Sequence, residues 1–164
     1  MKRENPFIPI YRKVNGGTNE EKFNAIYNGN ITIPLYIDVE LTNLCNFRCC
    51  FCPTGTKAMH RMRGYMSDEV VDAIEKNVKK FNIAGVRFSR WGEPTMHPKY
   101  LEIMDTVRKA GALIHVNTNG SLLTEKQMRR MMDIHLDSIK FSFQGADDGT
   151  YKEMRGGGGT TRNF

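Results

Sequence analysis

From about residue 35 onward the chain alternates two patterns: segments in which apolar and polar residues swap at every second position, and segments in which apolar residues recur every three or four. Leu35, Ile37, Val39 and Leu41 alternate with Tyr36, Asp38 and Glu40, the period of a strand with two unlike faces. Ser67 is placed to cap a helix whose apolar stripe is Val70, Val71, Ile74, Val78 and Phe81. A second strand is predicted at about 84–89. It is followed by a helix over 98–110, with Pro98 near its first turn and Gly111 at its end, where left-handed backbone favours glycine. A third strand is predicted at 112–117. Thr124 and Gln127 form a capping-box pair for a helix ending near Ile134, a fourth strand spans about 137–143, and another helix starts near Asp147. Met128, Met131 and Met132 fall at helical spacing and read as core filler.

Strands separated by single helices predict parallel pairing in an α/β fold. Val86 and Phe88 oppose Arg87 and Ser89; Ile114 and Val116 oppose His115 and Asn117; Ile139 and Phe141 oppose Lys140 and Ser142. A doubly wound sheet is covered by helices on both sides, so its strands are apolar on both faces. These strands instead predict a curling sheet, a partial (β/α) barrel whose apolar faces meet helices and whose polar faces line a lumen. A half-exposed sheet is the alternative. Residues 1–33 read as an N-terminal extension with a short helix, capped by Thr18 and Glu21 and ending at Gly29, and 34–164 as the core domain. The run Gly156–Gly159 abandons regular structure.

The length of 164 residues fits one domain with a real core. The net charge of +6 is spread among acidic residues along helical faces, which reads as a solvated surface. Without an aromatic-basic platform or a helix-turn-helix pattern, nucleic-acid binding is not expected. No apolar run approaches the roughly 18 residues that a membrane span needs. The start, Met1-Lys2-Arg3-Glu4-Asn5-Pro6, lacks the apolar stretch of a secretory signal, so the expected compartment is the reducing cytoplasm. There, clustered cysteines read as metal-binding or catalytic rather than as cross-links.

All four cysteines of the chain, Cys45, Cys49, Cys50 and Cys52, fall on one short loop directly after the first strand. Thiolates this close pair as disulfides only across strained rings, but they can grip a soft metal centre. Cys45, Cys49 and Cys52 follow C-x3-C-x2-C. Three such thiolates can hold three corners of a [4Fe–4S] cube and leave the fourth iron open. Zinc on all four cysteines is the rival, although the adjacent Cys49–Cys50 pair crowds the usual zinc spacing. Cys50 is expected to be a spectator.

The combination of Cys45, Cys49, Phe51 and Cys52, preceded by Leu41-Thr42-Asn43-Leu44 and followed by Pro53, resembles the radical S-adenosylmethionine (SAM) superfamily. That family carries C-x3-C-x-aromatic-C after its first barrel strand. The likeness is to the branch containing the molybdenum-cofactor cyclase and the SPASM-domain enzymes that modify peptides. Three further segments match in order. Trp91-Gly92-Glu93-Pro94 resembles the family's G-G-E-P, with Trp91 in place of the first glycine. Asn117-Thr118-Asn119-Gly120 is similar to its T-N-G, and Ser142, with Tyr151 and Arg155 downstream, is similar to its fourth-strand serine and later arginine.

The resemblance implies a radical SAM enzyme with a [4Fe–4S] cluster on Cys45, Cys49 and Cys52, and SAM contacts from Gly92, Glu93, Pro94, Asn117, Ser142 and Arg155. It further implies reductive cleavage of SAM to a 5'-deoxyadenosyl radical, which takes hydrogen from a peptide or small-molecule substrate in the lumen. An electron donor such as flavodoxin or ferredoxin would reduce the cluster. The family barrel has six strand–helix units, and about four are readable here, so a truncated barrel is expected, with its fourth-strand edge open to self-association. The competing reading is a noncatalytic iron–sulfur or zinc module for electron transfer or assembly, which needs the cysteines but not Glu93. His115 would face the lumen as a possible substrate contact, and His97, in Glu93-Pro94-Thr95-Met96-His97-Pro98, reads as structural.

Overall fold

The computed structural model describes residues 28–29 and 36–156. Four strands, β1 (Tyr36–Val39), β2 (Gly85–Phe88), β3 (Leu113–Thr118) and β4 (Ser138–Phe141), form one sheet in the order β1-β2-β3-β4. All three pairings are parallel. The helices between them are α1 (Asp68–Phe81), α2 (Tyr100–Lys109) and α3 (Glu125–Asp133), and α4 (Asp148–Arg155) follows β4. Right-handed crossovers between strands in sequential order place every helix on the same side of a sheet. The sheet is open rather than closed: β1 and β4 lie at its two edges.

The covered face is the one the alternation predicts. Val86, Phe88, Ile114 and Val116 are completely buried, packed with Val71 and Val78 of α1, Ile103, Met104 and Val107 of α2, and Met131 of α3. Burying one such side chain is worth about 1.5–3 kcal/mol. On the opposite face Asp38, Arg87, His115 and Ser138 lie in register across the four strands. They form a polar rung, with Arg87 bonded to Asp38 at 2.5 and 2.7 Å and His115 Nδ1 2.9 Å from Ser138 Oγ.

The capping chemistry follows the sequence in part. Thr124 and Gln127 form a reciprocal capping box on α3, and Gly111 adopts φ +102° after α2. Ser67 occupies the cap of α1 but its hydroxyl accepts no capping bond, and Val70 and Phe81 are exposed, so only Val71, Ile74 and Val78 carry the buried stripe. Met131 enters the core, whereas Met128 and Met132 point to solvent. Phe141 is also exposed, although its neighbour Thr118 in the register is buried. The reason lies in α4, which packs on the cysteine loop: Arg48 N–H donates to Arg155 O at 3.2 Å and Cys50 N–H to Met154 O at 3.1 Å. The expected helix between Thr18 and Gly29 lies outside the described residues, apart from a turn at Asn28 and Gly29. Among the described residues no helix is long and apolar enough to cross a membrane.

Candidate functional site

The loops leaving the C-terminal ends of the strands surround a single cleft. Eight of the nine residues expected at a site line it: the thiols Cys45, Cys49 and Cys52, with Gly92, Glu93, Asn117, Ser142 and Arg155. Pro94 is buried just behind, opening the short 3-10 turn Pro94–Met96. Cys50 is exposed, with its sulfur 4.0 Å from Met154 Sδ.

Gly92 is fixed by a close approach. A Cβ there would lie 1.8 Å from Thr42 O and 2.9 Å from Leu44 O, so the turn after β2 lies directly against the loop after β1. Glu93 N–H donates to Leu44 O at 2.8 Å and locks the two loops together. The Glu93 carboxylate is buried and heavily engaged. Oε1 accepts from Thr95 N–H at 3.2 Å, Thr95 Oγ1 at 2.7 Å and Thr118 Oγ1 at 2.6 Å, while Oε2 accepts from Asn119 N–H at 2.7 Å. A carboxylate offers about four lone-pair sites, so most of this one is committed to the protein and Oε2 retains the remaining capacity.

The fourth-residue pattern at the end of β3 divides its labour in a way the sequence did not reveal. Asn117 turns to the polar face, where its Nδ2 donates to Ser89 Oγ at 2.8 Å and its Oδ1 lies 2.7 Å from His115 Nε2. Thr118 and Asn119 do the connecting instead. Asn119 Nδ2 donates to Asn46 Oδ1 at 2.8 Å, joining the cysteine loop to the β3 end and to Glu93. The segment Asn117-Thr118-Asn119-Gly120, where Gly120 takes φ +73°, stands out in the sequence, but a Thr-Asn-Gly turn alone does not say which of its side chains makes the connection. Phe47 was missed as well: it is buried, meets Tyr151 edge-to-face at 6.5 Å, and carries the Arg155 guanidinium 4.9 Å from its ring centre.

Arg155 is not a solvated surface arginine. It is 5% exposed, donates from Nη1 to Gln144 Oε1 at 2.8 Å, and leaves its Nε–H buried with no partner. Among the described residues it has no carboxylate in ion-pair range. A buried, unneutralised guanidinium beside a cleft suits an anionic group arriving from outside. His97, by contrast, is structural. Lys99 N–H donates to its Nδ1, which leaves the proton on Nε2 to donate to Met66 O at 3.2 Å.

Burial pushes the Cys45 thiol up, assisted by the Glu93 carboxylate. Burial also raises Cys49, opposed by the Arg155 guanidinium. Both sulfurs are therefore held as thiols until a cationic centre displaces their protons. No group of three or more His, Cys, Asp or Glu among the described residues is placed to hold one metal ion. A cube gives each thiolate its own iron corner, so its cysteines stand further apart than ligands on a single ion; Cys45, Cys49 and Cys52 line one cleft.

An open parallel α/β sheet thus gathers a three-cysteine loop, a buried arginine and a largely engaged glutamate around one cleft at its strand ends. Residues 39–164 match the radical SAM superfamily, and the chain belongs to it. That family uses a [4Fe–4S] cluster and SAM. The chain is 30% identical over 108 residues to a tungsten-containing aldehyde ferredoxin oxidoreductase cofactor-modifying protein of Pyrococcus furiosus, covering 65% of this chain and 30% of that protein. It is 31% identical over 127 residues to GTP 3',8-cyclase of Klebsiella pneumoniae, covering 74% of this chain and 37% of the cyclase. Its fold superposes on Streptococcus suis SuiB bound to S-adenosylmethionine with a TM-score of 0.66 and 19% identity, over 84% of this chain and 33% of SuiB. SuiB has also been solved bound to the precursor peptide SuiA. The chain therefore spans well under half the length of these relatives.

Proposed function

We propose that this chain is the core of a radical SAM enzyme, with residues 34–164 as the catalytic domain behind an extension at 1–33, working in the cytoplasm on a peptide or small-molecule substrate. The observation that carries the reading is the meeting of three thiols and the unneutralised, 95%-buried side of Arg155 around one cleft at the strand ends. Cys45, Cys49 and Cys52 would hold the [4Fe–4S] cluster. When bound, the cluster and SAM would together supply reductive cleavage to a 5'-deoxyadenosyl radical, the electron coming from a donor such as flavodoxin or ferredoxin. The chain's own residues bind and orient. Arg155 Nε–H offers a charge-assisted donor to the SAM carboxylate, and the free lone pair of Glu93 Oε2 offers an acceptor to its ammonium. Gly92 lets the backbone carrying Glu93 come up against the cysteine loop, Pro94 stiffens that turn, and Ser142 and Asn117, which line the cleft, would contact bound SAM.

Anaerobic reconstitution tests this. The expected result is a brown protein with about four irons per chain, lost in Cys45→Ala, Cys49→Ala and Cys52→Ala and kept in Cys50→Ala, whose electron paramagnetic resonance spectrum changes on adding SAM. Equal iron loss in Cys50→Ala would overturn the ligand set. An unchanged spectrum at saturating SAM would turn the reading to an electron-transfer or assembly module.

A further inference from the structure

The uncovered face of the sheet is not electrically neutral where it meets the cleft. Asp38 sits between two guanidinium groups, Arg87, which grips it through two hydrogen bonds, and Arg90, which pairs with Oδ2 from the other side. Lys140 stands on the same face in register with Asn117, close enough that its charge acts on His115. Glu40, just past the end of β1, is held bidentately by Arg61 at 2.8 Å and also accepts from Trp91 N–H at 3.3 Å. Among the described residues three cations on this face thus confront the one carboxylate Asp38. Glu93, the remaining acid of the cleft, is turned into its own ring of Thr and Asn donors.

Arg90 is the member of this group that reaches the cleft. It lines the opening, its side chain is 52% exposed, and its backbone holds φ +104°. That region is populated readily only by glycine, so an arginine there is kept against a conformational preference. Next to it Trp91, 43% exposed, lines the same cleft. A charged fork beside a flat apolar face is suited to a ligand that presents an oxyanion and a body able to lie on a ring.

We propose that Arg90 and Trp91 form the substrate-recognition element of this cleft and select a substrate bearing a carboxylate or phosphate group, with Arg90 taking the oxyanion and Trp91 the adjoining body. This rests on the cleft being the reaction site and adds the class of substrate to it. Asp38 orients Arg90 through their shared contact, and Arg87 and Lys140 leave the field positive when Arg90 is engaged.

Trp91 is the single tryptophan of the chain, so its fluorescence reports on this position alone. The full chain, with and without reconstituted cluster, is titrated at low ionic strength with inorganic phosphate, with glutarate and with the neutral diamide glutaramide. A saturable fluorescence change with phosphate alone assigns a phosphate substrate, with glutarate alone a carboxylate, and with both a shared oxyanion site. Glutaramide is expected to give none. Arg90→Gly removes the guanidinium while suiting the positive φ, so this variant is expected to melt no lower than the parent, to keep its iron, and to bind the anion at least tenfold more weakly. Arg90→Lys is expected to recover part of the response. No saturable change with either anion, an equal change with glutaramide, or undiminished binding in Arg90→Gly overturns the proposal. So does loss of binding accompanied by a lower melting temperature, which would make Arg90 a prop of the fold. Protein that takes up iron and responds to SAM, yet ignores both anions, defeats this inference and leaves the proposed function standing.

Discussion

The Thr118 hydroxyl donates to Glu93 Oε1 at 2.6 Å, and through that bond the turn after β2 is fixed to the end of β3. Glu93 is thus a structural tie between the two loops. Glu93→Gln puts an amide NH2 where one of the two oxygens receives donors, leaving at least one buried donor without an acceptor. The expected cost is about 1–3 kcal/mol. Denaturant unfolding of the metal-free chain measures it, independently of any cofactor. An unchanged midpoint would mean that the carboxylate serves ligand binding alone.

Gly92 and Gly64 make a matched pair of tests. A Cβ on Gly92 would meet Thr42 O at 1.8 Å and Thr42 C at 2.6 Å, both backbone atoms that cannot swing aside, whereas a Cβ on Gly64 meets nothing within 4 Å. Gly92→Ala is expected to destabilise by more than about 2 kcal/mol, and Gly64→Ala to stay within about 0.5 kcal/mol of the parent. Equal effects at the two positions would show that the loops after β1 and β2 do not approach each other as described.

The strands were legible because each has two chemically unlike faces, and the parallel order followed from the helices between them. The three cysteines and the Gly-Glu-Pro turn were legible because few structural demands produce those residue types together. Less legible were the features that depend on which distant elements touch. The exposure of Phe141 depends on where α4 packs, and no local period encodes that. The roles of Thr118, Asn119 and Phe47 arise from partners 25, 73 and about 100 residues away in sequence. Arg155 looked the same in sequence whether solvated or buried. Only the closeness of α4 to the cysteine loop, with a Cβ on Gly156 reaching within 2.4 Å of Arg48 O, distinguishes the two.

His115 carries a pH dependence with a defined sign. Burial lowers its pKa below the ordinary value of 6.5, and the charges of Arg87 and Lys140 lower it further, against an opposing hydrogen bond to Asn117. The unfolded chain therefore takes up a proton before the folded chain does, so stability is full above about pH 6.5 and declines as pH falls toward the lower folded value. Urea midpoints measured from pH 7.5 to 5 are expected to fall more steeply in the parent than in His115→Asn. Parallel profiles would place His115 in an environment that does not disfavour its charge.

Among the described residues β4 pairs with β3 on one side only, and its Lys140 and Phe141 are exposed, whereas β2 is paired on both sides and its Val86 and Phe88 are completely buried. An edge strand presents backbone N–H and C=O groups that water or another chain must satisfy. Local opening of such a strand needs far less buried surface to be exposed than opening of a central one. In the dilute monomer, amides of Ser138–Phe141 are expected to exchange at least tenfold faster than those of Val86–Phe88, and Phe141→Ser is expected to leave stability within about 0.5 kcal/mol because little burial is lost. If the edge is covered by a second copy, the difference shrinks as protein concentration rises and sedimentation shows a dimer over the same range. Protection in β4 equal to that in β2 at the lowest concentration would mean that other residues of the same chain, outside those described, close the sheet there.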